Sequence, residues 1–181
     1  MAVDGSTSDI ATYAREVAHG RELPGDIAEF AIHGRAALAV DRVGDTALVV
    51  IARHPQPDES IDVALDAPAG GLMSIEEVLL QGPEYSSYAG GGGTIEPGTF
   101  DALTGTRQDQ DWPAAHIGSG TAFPRGGGQP ITYSTLRVHR QIEQLTVNGR
   151  NITIHPGGWA AILGDTSSVE LIDQSGQPQQ M

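Results

Sequence analysis

The sequence predicts a mainly β protein, an antiparallel sandwich or barrel-like domain, with a short N-terminal α-helix and one short central helix. Three observations predict it. Sustained helical periodicity is confined to the N-terminus. Runs of alternating and β-branched residues dominate both halves of the chain. Asn148-Gly149, between "QLTV" and "RNITI", is the strongest short-range hairpin signal present. Neither β-rich half alone has enough apolar residues for a comfortable core. The two are therefore expected to share one, as a single domain over residues 1–174, with a flexible polar tail at 175–181.

In chain order, "SDIATYAREVAHG" is the clearest helix. Ser8 stands as its cap, Asp9 suits the first turn, and Gly20 ends it. Ile10, Tyr13, Ala14 and Val17 form an apolar stripe that has to pack on something, because three turns do not hold alone in water. "DIAEFAI" can alternate. "RAALAVDRVGDTALVVIAR" reads as a hairpin with its turn at Val43-Gly44-Asp45. "SIDVALDAP" alternates cleanly and predicts a half-buried strand with an acidic outer face. In "SIEEVLLQG", Ser74 and Glu77 have capping-box spacing and Gly82-Pro83 stops the segment, which predicts the central helix. Half of the glycines then fall between Gly82 and Gly128 with little periodicity. Tyr85, Tyr88, Phe100, Trp112 and Phe123 lie in this region, more aromatics than a flexible linker carries. Residues 82–130 are expected to form an ordered loop region pinned by those rings. Beyond Pro130, "WAAIL" and "VELID" add strands to the Asn-Gly hairpin.

Composition excludes several functions. The net charge is −13, with ten basic residues, all arginine. Nucleic acid and anionic membranes need clustered positive charge, so neither is an expected partner. No cysteine is present, which removes disulfides, thiolate nucleophiles and cysteine zinc sites. The first residues lack a basic and an apolar segment, so the expected location is cytoplasmic, with secretion after leader removal as the alternative.

The motifs are also mostly negative. "AGGGGT" cannot be a phosphate-binding loop, which requires a lysine, and "TIEPG" after it is no dinucleotide-binding helix. His139, Glu143 and His155 suggest a metal site, but a two-residue turn at Asn148-Gly149 sets Glu143 and His155 on opposite faces of the hairpin. The same register gathers Leu145, Val147, Ile152 and Ile154 on the core face. His116 lies three residues before Ser119, without the spacing of a nucleophile elbow. Trp159 opens an apolar strand and belongs to the core, whereas Trp112, between Asp111 and Pro113, suits an anchor for a partner.

The expected function is a non-enzymatic interaction or assembly module that binds another protein, or itself, through Tyr85, Tyr88, Phe100, Trp112, His116 and Arg125. No catalytic residue, metal or cofactor is expected. The alternatives are a small-ligand binder or enzyme with a pocket under residues 82–130, using His116, Asp111, Arg125 and His139, and an acidic inhibitor of a basic target.

Overall fold

Residues 5–23, 34–54, 72–89, 93–97, 112–123 and 128–181 are described by the structure, a computed structural model. Helix α1 (Gly5–Ala18) starts one turn before the expected cap, so Ser8 lies inside it. Its stripe is as the periodicity requires: Tyr13, Ala14, Val17 and Ala18 are buried, with Ile10 at their margin. The helix lies on the outer face of the first sheet, against Val49, Ile51, Val78 and Leu80.

That sheet is antiparallel. It comprises β1 (Arg35–Val43), β2 (Thr46–Arg53), β3 (Leu72–Gln81), β4 (Ser87–Ala89) and β5 (Gly93–Pro97). The order is β1-β2-β3, with β4 and β5 both paired to β3. The β1–β2 hairpin turns at Gly44-Asp45, with Val43 opposite Thr46. A second sheet has the order β10-β7-β6, from β6 (Ala114–Ala122), β7 (Ile131–Val138) and β10 (Trp159–Leu163). The third, ordered β12-β11-β8-β9, contains β8 (Ile142–Val147), β9 (Arg150–Ile152), β11 (Val169–Asp173) and β12 (Pro178–Gln179). The Asn-Gly turn joins β8 to β9 in the expected register, Val147 opposite Arg150 and Leu145 opposite Ile152. Asn148 and Gly149 both have positive φ, 50° and 78°, as a two-residue hairpin turn demands.

The sheets stack with the second in the middle. Tyr133, Trp159, Ala161 and Leu163 face the first sheet, packed with Leu38, Leu48, Val50, Ile75 and Leu79. Leu136, Val138, Ala160 and Ile162 point the other way, into a core with Leu145, Val147, Ile152 and Leu171 of the third sheet. Strand β10 is accordingly buried along its whole length.

Several expectations are corrected. The central helix is strand β3. Both of its faces are covered, Ile75 and Leu79 by the second sheet and Val78 and Leu80 by α1, so its apolar residues show no strand alternation. The apparent capping box is two residues of a strand. Among the described residues no closed barrel forms; they make three open sheets. The stretch read as a loop region contains β4, β5 and the nine-residue β6. Part of the tail expected to be flexible forms β12, with the Gln179 amide donating to Asp173 at 2.7 Å. The strands expected in "DIAEFAI" and "SIDVALDAP" lie outside the described residues. No helix among the described residues is long and apolar enough to cross a membrane.

Two bulges aim side chains that a regular strand would point elsewhere. In β1 the register shifts between Ala37 and Ala39. Leu38 and Ala39 therefore both face the second sheet, and the alternation inverts beyond them. Asp41 is turned inward, where Arg150 grips it bidentately at 2.7 Å from each guanidinium nitrogen. The Leu163 amide donates to the same carboxylate at 2.8 Å. Arg42 is turned outward to the end of α1, donating to the carbonyls of Val17 and Ala18 at 2.6 and 2.7 Å. A cation on the last carbonyls satisfies acceptors that the helix cannot.

Candidate functional site beside strand β6

Strand β6 carries the second bulge. His116 pairs with Leu136, but Gly118 pairs with Thr135, and the extra residue is Ile117. The bulge turns Gly118 and Gly120 toward the first sheet, while His116 remains exposed. The two glycines are needed for close approach. A Cβ on Gly118 would overlap the Glu77 carboxylate, and one on Gly120 would overlap the Tyr133 hydroxyl.

Glu77 reaches this point from β3, where it sits between Ile75 and Leu79 on the face toward the second sheet. It is 5% exposed, a carboxylate placed inside an apolar layer. Burial raises its pKa above the ordinary value, while the Thr135 hydroxyl and the charge of His116 pull it partly back. Thr135 faces the carboxyl group, yet neither its hydroxyl nor Glu77 Oε1 completes a hydrogen bond of normal geometry. Burial and the nearby Glu77 charge raise the Tyr133 pKa as well. Glu77, Tyr133 and Thr135 thus form a polar cluster inside the seam between two sheets.

A second feature lies at the start of β6. Trp112 is 66% exposed and lines a pocket of about 190 Å³ with Pro113, His139, Gln141, Ile142, Asp173 and Gln179. The β7–β8 turn supplies His139 and Gln141, whose amide donates to His139 Nδ1 at 3.2 Å. Asp173 organises the β11–β12 turn. Its Oδ1 accepts from the Ser175 hydroxyl at 2.6 Å and from the Gln177 amide at 2.9 Å. These donors, Ser175 foremost, hold its carboxyl below the ordinary pKa. The other end of β6 is marked by Phe123, 74% exposed. The remaining tryptophan, Trp159, is fully buried under the Arg137 guanidinium, which lies 4.7 Å above its ring.

The residues singled out from sequence are not brought together. Tyr85 and Tyr88 are partly buried beside α1 on the outer face of the first sheet. The Tyr85 carbonyl accepts from Arg15 Nε at 3.0 Å, so its segment helps to seat the helix. Trp112 precedes β6 and His116 lies within it. Phe100, Arg125 and Asp111 lie outside the described residues. His155 is placed by the core: its Nε2 is 3.2 Å from the Val40 carbonyl oxygen, and burial lowers its pKa. Among the described residues no group of three or more His, Asp or Glu is arranged to hold a metal. Sequence reasoning missed Glu77, Tyr133, Thr135 and Asp173. The signal for Glu77 was a charged residue spaced two from Ile75 and from Leu79, visible only once the segment is a strand. No protein-family model matches the chain, and neither a curated protein nor a solved structure matches it.

Proposed function

We propose that this chain is a non-enzymatic binding module that docks another protein at the Trp112 end of β6. The observation that supports it is the exposure of Trp112 beside a pocket, in a chain whose other tryptophan is wholly buried. Tryptophan is among the residue types enriched at the energetic centres of protein interfaces. Phe123 is likewise exposed, at the far end of the strand. The test places a photo-crosslinking residue at Gln141 and compares the chain with its Trp112→Ala variant in the native cell. Adducts that vanish with the variant, at unchanged melting temperature, support the reading; an identical adduct pattern removes it. Self-association is the form of the same reading in which adducts have twice the chain's mass.

A second reading rests on Glu77. A buried carboxyl group of raised pKa beside a phenol and a hydroxyl suits a small-ligand or proton-handling site. A thermal-shift screen tests it. Stabilisation by several degrees with one ligand class, lost in Glu77→Gln, favours it over docking.

A further inference from the structure

Which chemistry the Trp112 pocket accepts follows from its lining. One wall is an indole, 66% exposed, whose π face attracts cations. Asp173 lines the same pocket. Its hydrogen-bond donors are the neutral groups of Ser175, Gln177 and Gln179. These bonds keep the carboxyl ionised over a wide pH range. Among the described residues no arginine or histidine forms an ion pair with it. The remaining polar walls, Gln141, Gln179 and His139, present hydrogen-bonding groups. The charged residue of the β7–β8 turn is the exposed Arg140, which does not contribute to the depressed Asp173 pKa. The whole chain, at net charge −13, draws in positive partners.

We propose that the pocket formed by Trp112 and Asp173 is a cation site, which receives an arginine or lysine side chain of the docked protein. The cation would lie over the indole, with the carboxylate as its counter-charge and the amide oxygens of Gln141 and Gln179 as acceptors. The inference rests on the docking reading above and adds the chemistry of the partner.

The test uses the full chain labelled with ¹⁵N. Its two tryptophans supply two indole N–H resonances, and that of buried Trp159 is the internal control. The probe is acetyl-Gly-Arg-Gly-amide, compared with the same peptide carrying citrulline, which keeps the shape and loses the charge. The expected result is a shift of the Trp112 resonance alone, with the citrulline peptide binding about fivefold more weakly or worse. Raising the salt concentration should weaken the arginine peptide and leave the citrulline peptide unaffected. Asp173→Asn should cost about fivefold in affinity for the arginine peptide only. Because that change also touches the β11–β12 turn, Trp112→Leu is the second variant. It keeps an apolar wall, removes the π face and should weaken arginine binding comparably. Equal binding of the two peptides, no shift with either, or wild-type affinity in both variants overturns the proposal. Adducts lost with Trp112→Ala alongside a negative peptide result would leave the docking reading standing and remove only the cation.

Discussion

A charged side chain in an apolar seam is a local fault that has to be offset or used. Glu77 has the fault without full relief, since Oε1 is buried and lacks a hydrogen bond. Its folded pKa lies above the ordinary 4.5, so the native state holds a proton that the unfolded chain gives up. Below that ordinary value the residue makes no difference to stability. As pH rises through the window between the ordinary and the raised pKa, the native state loses stability, and the loss is complete above the raised value. Glu77→Gln has nearly the same shape and no charge. At pH 8 it should be more stable than the parent by about 1–3 kcal/mol, the usual cost of an unsatisfied buried group. At pH 4 the two should be equal. Urea unfolding at both pH values measures this, and equal stability at pH 8 would show that the carboxylate finds adequate relief. Gly118 gives a companion prediction. Gly118→Ala should destabilise by about 1–3 kcal/mol through overlap with the carboxyl group. In a Glu77→Ser background the same change should be nearly silent, a coupling that a double-mutant cycle reads directly.

Among the elements, the bulge in β1 has the widest effect. It sends Asp41 inward and Arg42 outward, so adjacent residues fasten the first sheet to the rest of the fold and to α1, respectively. Asp41→Ala leaves the Leu163 amide without its acceptor and Arg150 with the Leu163 carbonyl alone. It should cost about 2 kcal/mol, less than for a fully buried pair because the Arg150 side chain is partly exposed. Arg42→Ala should cost less, about 1 kcal/mol, because the last carbonyls of a helix turn to water when a cation is removed. Guanidinium denaturation separates the two, and an Asp41→Ala change under 1 kcal/mol would mean that this clasp adds little. The elements also show what the residues disclose on their own. The β1–β2 and β8–β9 hairpins were legible because their signals are local: Gly44-Asp45 and Asn148-Gly149 stand between apolar runs. Helix α1 was legible from its stripe. Strand β3 was not, because cover on both faces sets Val78, Leu79 and Leu80 side by side without alternation, and Ser74 and Glu77 mimic a helix start. The site was still less legible. Asp41 meets a partner 109 residues away, Glu77 meets groups from two later strands, and no spacing in a single sequence encodes such meetings. The exposure of Trp112 was legible, because a tryptophan between an aspartate and a proline, outside any apolar run, has no core to enter.

For the whole molecule, acid response combines two opposed groups. His155 is half-buried with a pKa below its ordinary 6.5, so the native state resists protonation. Its contribution is complete above that value and is lost as pH falls through the lowered one. Glu77 acts in the opposite sense, so in the parent the two slopes offset each other in weak acid. In Glu77→Gln only the His155 slope remains, and stability should fall more steeply between pH 6.5 and 5 than in the parent. Parallel melting curves across that range would contradict it.

The middle sheet has one further consequence. Its two faces complete two separate cores, so β7 and β10 have no water-tolerant side to fall back on. A chain cut between β5 and β6 would leave one piece with α1 and the first sheet, its inner face bare, and another with the remaining sheets and an uncovered Trp159. Neither piece should hold its structure alone, and each supplies the surface that the other lacks. Mixed in equal amounts they should reassemble, with the Trp159 fluorescence of the intact protein restored, as a complementing pair whose affinity reports the strength of the seam at Glu77 and Gly118.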